Sequence, residues 1–140
     1  NKFPDTALLL PLHKNPKVRN VLKPILKNHK RVFLTEPLDY VPFVYAMKKS
    51  HLILSDSGGV QEETTYLRIP CVTLRENTER PVTVEVGSNV LCGCDPDKII
   101  NAASAILNGR AKDSKIPELW DGQTSHRIVE ILRSKLNQEI

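Results

Sequence analysis

Ser57, Gly58, Gly59, Glu62 and Glu63 stand close together in LILSDSGGVQEE, residues 52–63, in an order that suits an anion. The apolar run before them has strand character, Ser-Gly-Gly makes a small polar turn, and the residues beyond it pattern as helix. Glycines let a backbone approach a phosphate closely, and the first N–H groups of the helix point at it unpaired. The helix dipole adds about half a positive charge at that end. Glu62 and Glu63 fall a turn further in, where a carboxylate could accept bonds from ribose hydroxyls. One reading is therefore a diphosphate-plus-ribose pocket, for a nucleotide or nucleotide-sugar. The other is an ordinary strand-to-helix turn with Asp56 or Ser57 as N-cap. Short glycine motifs are weak signals, so this segment alone leaves both open.

The surrounding elements must carry such a turn, and apolar runs alternate with helical patterns along the whole chain. Strands are predicted over residues 6–10, 32–35, 52–55, 71–74 and 89–91. Helices are predicted over 16–28, 40–49, 60–67, 96–108 and 124–137, with a short segment ending at Gly87. Pro16 and Pro42 suit first turns, whereas Pro24 should kink or shorten its helix. Near-continuous apolar strands between helices imply an α/β fold, a parallel sheet with helices on both faces. Such sheets bind ligands beyond the carboxyl ends of their strands. PLHKNP, TEPLDYVPF, SDSGG and RENTERP all follow strand ends, so four candidate loops meet at one edge.

At 140 residues and 40% apolar, the chain has the size and composition of one globular domain. Its net charge is +4, and the first 31 residues hold eight Lys or Arg against one acid, Asp5. Those cations lie mainly on one helical segment without interleaved aromatics, which describes a solvated helix face rather than a nucleic-acid surface. Cys71, Cys92 and Cys94 cannot all pair within one chain. Cys92 and Cys94 are too closely spaced for an ordinary disulfide, and no Cys/His set completes a zinc site. Free thiols in a reducing cytosol fit best, giving a cytoplasmic expectation. No run approaches the roughly 20 apolar residues of a membrane span. His29, His51 and His126 have no metal-ligand spacing and read as surface or packing residues.

SDSGGVQEE followed by TLRENTERPVTVEVGSNVLCG resembles the non-hydrolysing UDP-N-acetylglucosamine 2-epimerases. The likeness extends back through PLHKNPKVR and EPLDYVPFVYAM and forward to WDGQTSHRIVEIL, covering nearly the whole chain. It implies a Rossmann-like domain, the C-terminal domain of a glycosyltransferase-B-type fold. The first strand and helix of that domain would be missing, as would the whole N-terminal domain or a complementary chain that replaces it. Apolar surface and unpaired edges should then be exposed.

By the same resemblance, Ser57, Gly58 and Gly59 hold a UDP diphosphate and Glu63 accepts from the ribose hydroxyls. Phe43 lies by the uracil, and Arg80 supplies positive charge near the phosphates or sugar. The bland alternative for Arg80 is an ion pair with Glu76 or Glu79. His13 matches a histidine of a second, activating UDP-sugar site, or else is a hydrogen-bonded loop histidine. The family inverts C2 of the sugar without metal or nicotinamide. Its catalytic carboxylates, and the histidine of a His-Arg-Arg-Glu-Asn motif, belong upstream of these residues. The implied function is the UDP-holding portion of a UDP-N-acetylglucosamine 2-epimerase, homodimeric when full length, while this chain alone is expected to be inactive. The alternatives are a glycosyltransferase-B donor domain or a non-catalytic nucleotide-binding module.

Overall fold

The computed structural model describes residues 2–137. Its elements run β1 (Leu8–Pro11), α1 (Pro16–Leu26), β2 (Val32–Thr35), α2 (Tyr40–Lys49), β3 (Ile53–Ser55) and α3 (Gly58–Leu67). They continue through β4 (Cys71–Thr73), α4 (Pro81–Glu85), β5 (Asn89–Leu91), α5 (Pro96–Leu107) and α6 (Thr124–Leu136). The expected alternation is present throughout. All strand pairs are parallel, but the strands form two ladders rather than one, β1–β2 and β3–β4–β5. The chain accordingly divides into two compact units, Asn1–Ala46 and Met47–Ile140.

In the first unit, Leu8 to Pro11 pair in register with Val32 to Thr35. α1 starts at Pro16, and the Asn15 side chain caps it by accepting the Lys17 N–H at 2.9 Å. Asn and Pro thus provide the start that helix-capping chemistry favours. The helix runs through Pro24 but stops at Leu26, two residues short of the expected end. Proline removes one intrahelical donor and crowds the preceding turn. Arg19 anchors the loop after β1, donating to the His13 carbonyl at 3.0 Å and to Glu36 Oε1 at 2.8 Å. That hydrogen bond to Arg19 holds the Glu36 carboxyl below its usual range.

The second unit is built around β4. Cys71, Val72 and Thr73 are all fully buried, so both faces of the central strand are covered. Strand side chains alternate in direction, and Thr73 faces the α3 side, where its hydroxyl meets Asn89 at 3.0 Å. Val72 points to the opposite face, and α5 also packs against β4. Helices therefore lie on both faces of this ladder.

The α3 face of β4 and β5 is polar, an arrangement unforeseen from apolar runs. Asn89 Nδ2 donates to the Gln61 carbonyl at 3.0 Å and to Thr65 Oγ1 at 2.9 Å. Gln61, Thr64, Thr65, Thr73 and Asn89 are all essentially inaccessible. α3 ends at Arg68 in the left-handed region (φ 56°), and the next N–H, from Ile69, closes on the Thr64 carbonyl at 2.9 Å.

Many apolar side chains stay exposed, among them Leu9 and Phe33 on the first ladder and Ile128, Ile131, Leu132 and Leu136 on α6. The burial of Cys71 and its raised thiol pKa, caused by desolvation, fit its reading as a small buried hydrophobe.

Gly87 is a tight point where α3 and α4 meet. A Cβ there would lie 2.4 Å from Thr65 Oγ1 and 2.6 Å from the Thr83 carbonyl oxygen. Gly87→Ala should therefore destabilise the fold by about 1–3 kcal/mol, as overpacking does. Urea unfolding should show the lower midpoint. Arg68→Gly should raise the stability by up to about 1 kcal/mol in the same unfolding, because glycine occupies the left-handed position without penalty.

Candidate functional site

The turn after β3 presents Ser57, Gly58 and Gly59 at the start of α3. Ser57 is the N-cap residue, with extended backbone (φ −80°, ψ 129°), yet its hydroxyl makes no capping bond. Its N–H donates to Ser55 Oγ at 3.1 Å, which holds the turn against the end of β3. The first intrahelical bond runs from the Gln61 N–H to the Ser57 carbonyl at 3.2 Å. The N–H groups of Gly58, Gly59 and Val60 precede that bond and have no intrahelical acceptor. The capping reading is thus met in backbone position but not by the side chain. Among the described residues the Ser57 hydroxyl makes no capping bond, and it stands beside helix donors that lack an intrahelical acceptor.

Arg80 sits over this turn. A Cβ on Gly58 would lie 2.9 Å from Arg80 Nη1 and 3.2 Å from its Cζ, so the missing side chain lets the guanidinium rest against the helix start. Arg80 Nε lies 2.7 Å from Glu62 Oε1 and Nη1 lies 3.5 Å from Glu79 Oε2. The Nε–H is not aimed along its short contact, which is therefore a charge contact rather than an aligned hydrogen bond. Of the two ion pairs proposed as the bland alternative, the one with Glu79 is present. Glu76 instead packs its carboxylate against Gly93. The nearer partner, Glu62, was not anticipated for this role. One signal was available: Glu62 lies one helical turn after Gly58, on the face where residues four apart meet.

Glu63 is half-buried on α3, in the same unit as Ser57, Gly58, Gly59 and Arg80. Phe43 and His13 belong to the first unit. Phe43 is half-buried in the first turns of α2, its N–H donating to the Asp39 carbonyl at 2.9 Å. His13 is exposed, and its Nδ1 accepts the Asn15 N–H at 3.1 Å, which places its proton on Nε2 in the neutral ring. Trp120-Asp121-Gly122 forms the turn into α6: Asp121 Oδ1 accepts the Gln123 N–H at 3.0 Å, and Gly122 has φ 78°. The Arg127 guanidinium beside Asp121 holds that carboxyl below its ordinary range. Among the described residues no group of three His, Cys, Asp or Glu is arranged to hold a metal, and all three cysteines are free. No described helix is long and apolar enough to cross a membrane.

Parallel strands, crossover helices on both faces and a glycine turn at the carboxyl end of β3 define a Rossmann-like α/β protein. The UDP-N-acetylglucosamine 2-epimerase family profile matches residues 1–133. The chain is 43% identical over 133 residues to the UDP-N-acetylglucosamine 2-epimerase of Methanocaldococcus jannaschii, covering 91% of this chain and 35% of that protein. The structure of that archaeal enzyme in complex with UDP-GlcNAc and UDP has TM-score 0.78 and 41% identity over 95% of this chain and 37% of that one. The S. aureus MnaA–UDP structure reaches TM-score 0.83 at 40% identity, over 97% of this chain and 38% of the other. The chain belongs to the UDP-N-acetylglucosamine 2-epimerase family. It spans little more than a third of the length of these relatives, consistent with part of a glycosyltransferase-B-type fold.

The uncommitted Ser57 hydroxyl has a measurable consequence. Asp95 caps α5 by accepting the Asp97 N–H at 2.9 Å and the Lys98 N–H at 3.2 Å. Asp95→Ala should cost about 1 kcal/mol in urea unfolding, the usual value of a cap. Ser57→Ala should change stability by less than about 0.5 kcal/mol, as do substitutions that remove no structural feature.

Proposed function

We propose that this chain is the UDP-holding portion of a UDP-N-acetylglucosamine 2-epimerase that interconverts UDP-N-acetylglucosamine and UDP-N-acetylmannosamine. The observation that carries the reading is the Arg80 guanidinium resting against Gly58 at the donor-rich start of α3, in a chain of this family. Relatives whose matching portion is similar have been solved with UDP or UDP-GlcNAc bound, which supports a UDP-sugar as the ligand.

In this reading the Ser57 hydroxyl and the Gly58 and Gly59 N–H groups hold the diphosphate. Arg80 adds positive charge where the phosphates gain negative charge. Glu63 accepts from the ribose hydroxyls, Phe43 lies by the uracil, and His13 serves a second, activating site. Epimerisation removes the proton from C2 and breaks the C1–oxygen bond to UDP, leaving a glycal-type sugar. C2 is then reprotonated on the opposite face as the UDP oxygen returns to C1. The sequence is redox-neutral and needs no nicotinamide.

Arg80 and the helix N-terminus stabilise the departing diphosphate, an electrostatic task that gains from donors already in position. The carboxylates that move the C2 proton belong to the remainder of the enzyme, whose full-length form is a cytoplasmic homodimer in this proposal.

Titration of the chain with UDP, followed by amide NMR, should give saturable shifts at Phe43, Ser57, Gly58, Gly59 and Glu63. Arg80→Ala should weaken binding about tenfold or more, the expected loss for a charge-assisted bond to phosphate. The chain alone should not turn over UDP-N-acetylglucosamine. Dispersed amides that ignore UDP would overturn the site, and loss of the sugar only with an acceptor present would favour a glycosyltransferase.

A further inference from the structure

A polar chain leads from inside the second unit to Arg80. Gln61 is fully buried on α3, and its Oε1 accepts the Thr78 hydroxyl at 2.6 Å. The Thr78 oxygen in turn accepts the Arg80 N–H at 3.0 Å. On the other side, the Arg80 carbonyl accepts from both the N–H of Thr83 at 3.0 Å and its hydroxyl at 2.8 Å. Thr83 is also fully buried. Both polar ends of the Arg80 residue are thus tied to the interior, one to α3 and one to α4. Pro81 follows at once and restricts the preceding backbone further.

The Gln61 carboxamide has a structural cost. Its Nε2 is buried and finds no acceptor among the described residues. An unmatched buried donor disfavours folding, and an apolar side chain of similar size would avoid that. What an apolar residue could not supply is the acceptor for Thr78. That bond orients the hydroxyl so that its lone pair faces the Arg80 N–H. The guanidinium beyond is half-buried, and its two carboxylate partners are partly solvated. Contacts of that kind fix a side chain weakly. Its place over Gly58 therefore depends on a backbone that does not move.

We propose that Gln61 and Thr78 are positioning residues, holding the backbone of Arg80 so that its guanidinium stays over the start of α3 to meet a nucleoside diphosphate. The inference rests on the UDP site proposed above. It assigns no ligand contact to Gln61 or Thr78, only the placement of the cation that makes one. Pre-ordering a charged donor raises affinity by removing the ordering cost from binding.

The test compares UDP with uridine as probes in titrations of the full chain, since uridine lacks the phosphates that Arg80 would meet. Thr78→Val should weaken UDP binding about five- to tenfold, with uridine affinity unchanged and Thr78→Ser close to the parent chain. That loss corresponds to about one hydrogen-bond-dependent placement. Gln61→Met should repeat the pattern. Because Gln61 is buried and its variant can fail to fold, Thr78→Val decides the outcome. If Arg80→Ala weakens UDP binding but Thr78→Val does not, positioning is overturned and the UDP site stands. Equal losses for UDP and uridine would show a structural role and overturn it too. A parent chain that binds no UDP would overturn both proposals.

Discussion

The side chain of Asn89 is the joint on which the second unit depends. It is one carboxamide at the first residue of β5, buried to 1% exposure, with hydrogen bonds to two neighbouring elements. Its Oδ1 accepts from Thr73 on β4, and its Nδ2 donates to Gln61 and Thr65 on α3. Each bond adds little net stability, about 1 kcal/mol, but breaking one inside a dry interior leaves a polar atom stranded. The pattern therefore specifies a single seating of α3 on the ladder. An apolar face would tolerate sliding far better.

Seating α3 fixes the direction of its N-terminus, and the rest of the site follows from that. The helix axis starts where β3 ends, with Ser57 at the cap and glycines in the first turn. The same face of α3 carries Gln61, which reaches Thr78, while Glu62 reaches Arg80. One short helix thus presents backbone donors at its end and tethers a cation beside them. Gly58 and Gly87 are needed for opposite reasons. Gly87 lets α3 and α4 close together, whereas Gly58 leaves room for the Arg80 guanidinium.

The elements were legible because both of their signals are local. Strand runs such as ILS and CVT, and helix starts marked by Pro16 and Pro96, depend on neighbours a few residues away. The observed boundaries differ from the expected ones by a residue or two, as at Ile53 and Leu26. The glycine turn was legible for the same reason. Less legible was the division of the strands into two ladders, because pairing is a contact between distant segments. The polar interface beneath α3 escaped notice because Thr64, Thr65, Thr73 and Asn89 look unremarkable in separate segments. An Asn opening an otherwise apolar strand was the only hint.

The sequence by itself determined the order of strands and helices, the donor-rich turn at Ser57, Gly58 and Gly59, and the family likeness carried by motifs in succession. These are properties of residue type and spacing, and spacing survives without coordinates. Only the tertiary structure decided that Arg80 rests on Gly58, that Glu62 is its nearer partner, and that Gln61 holds it through Thr78. Arg80 lies 22 residues from Gly58 along the chain. No periodicity relates two such positions, because their meeting is set by how β4 and α4 return the chain to α3.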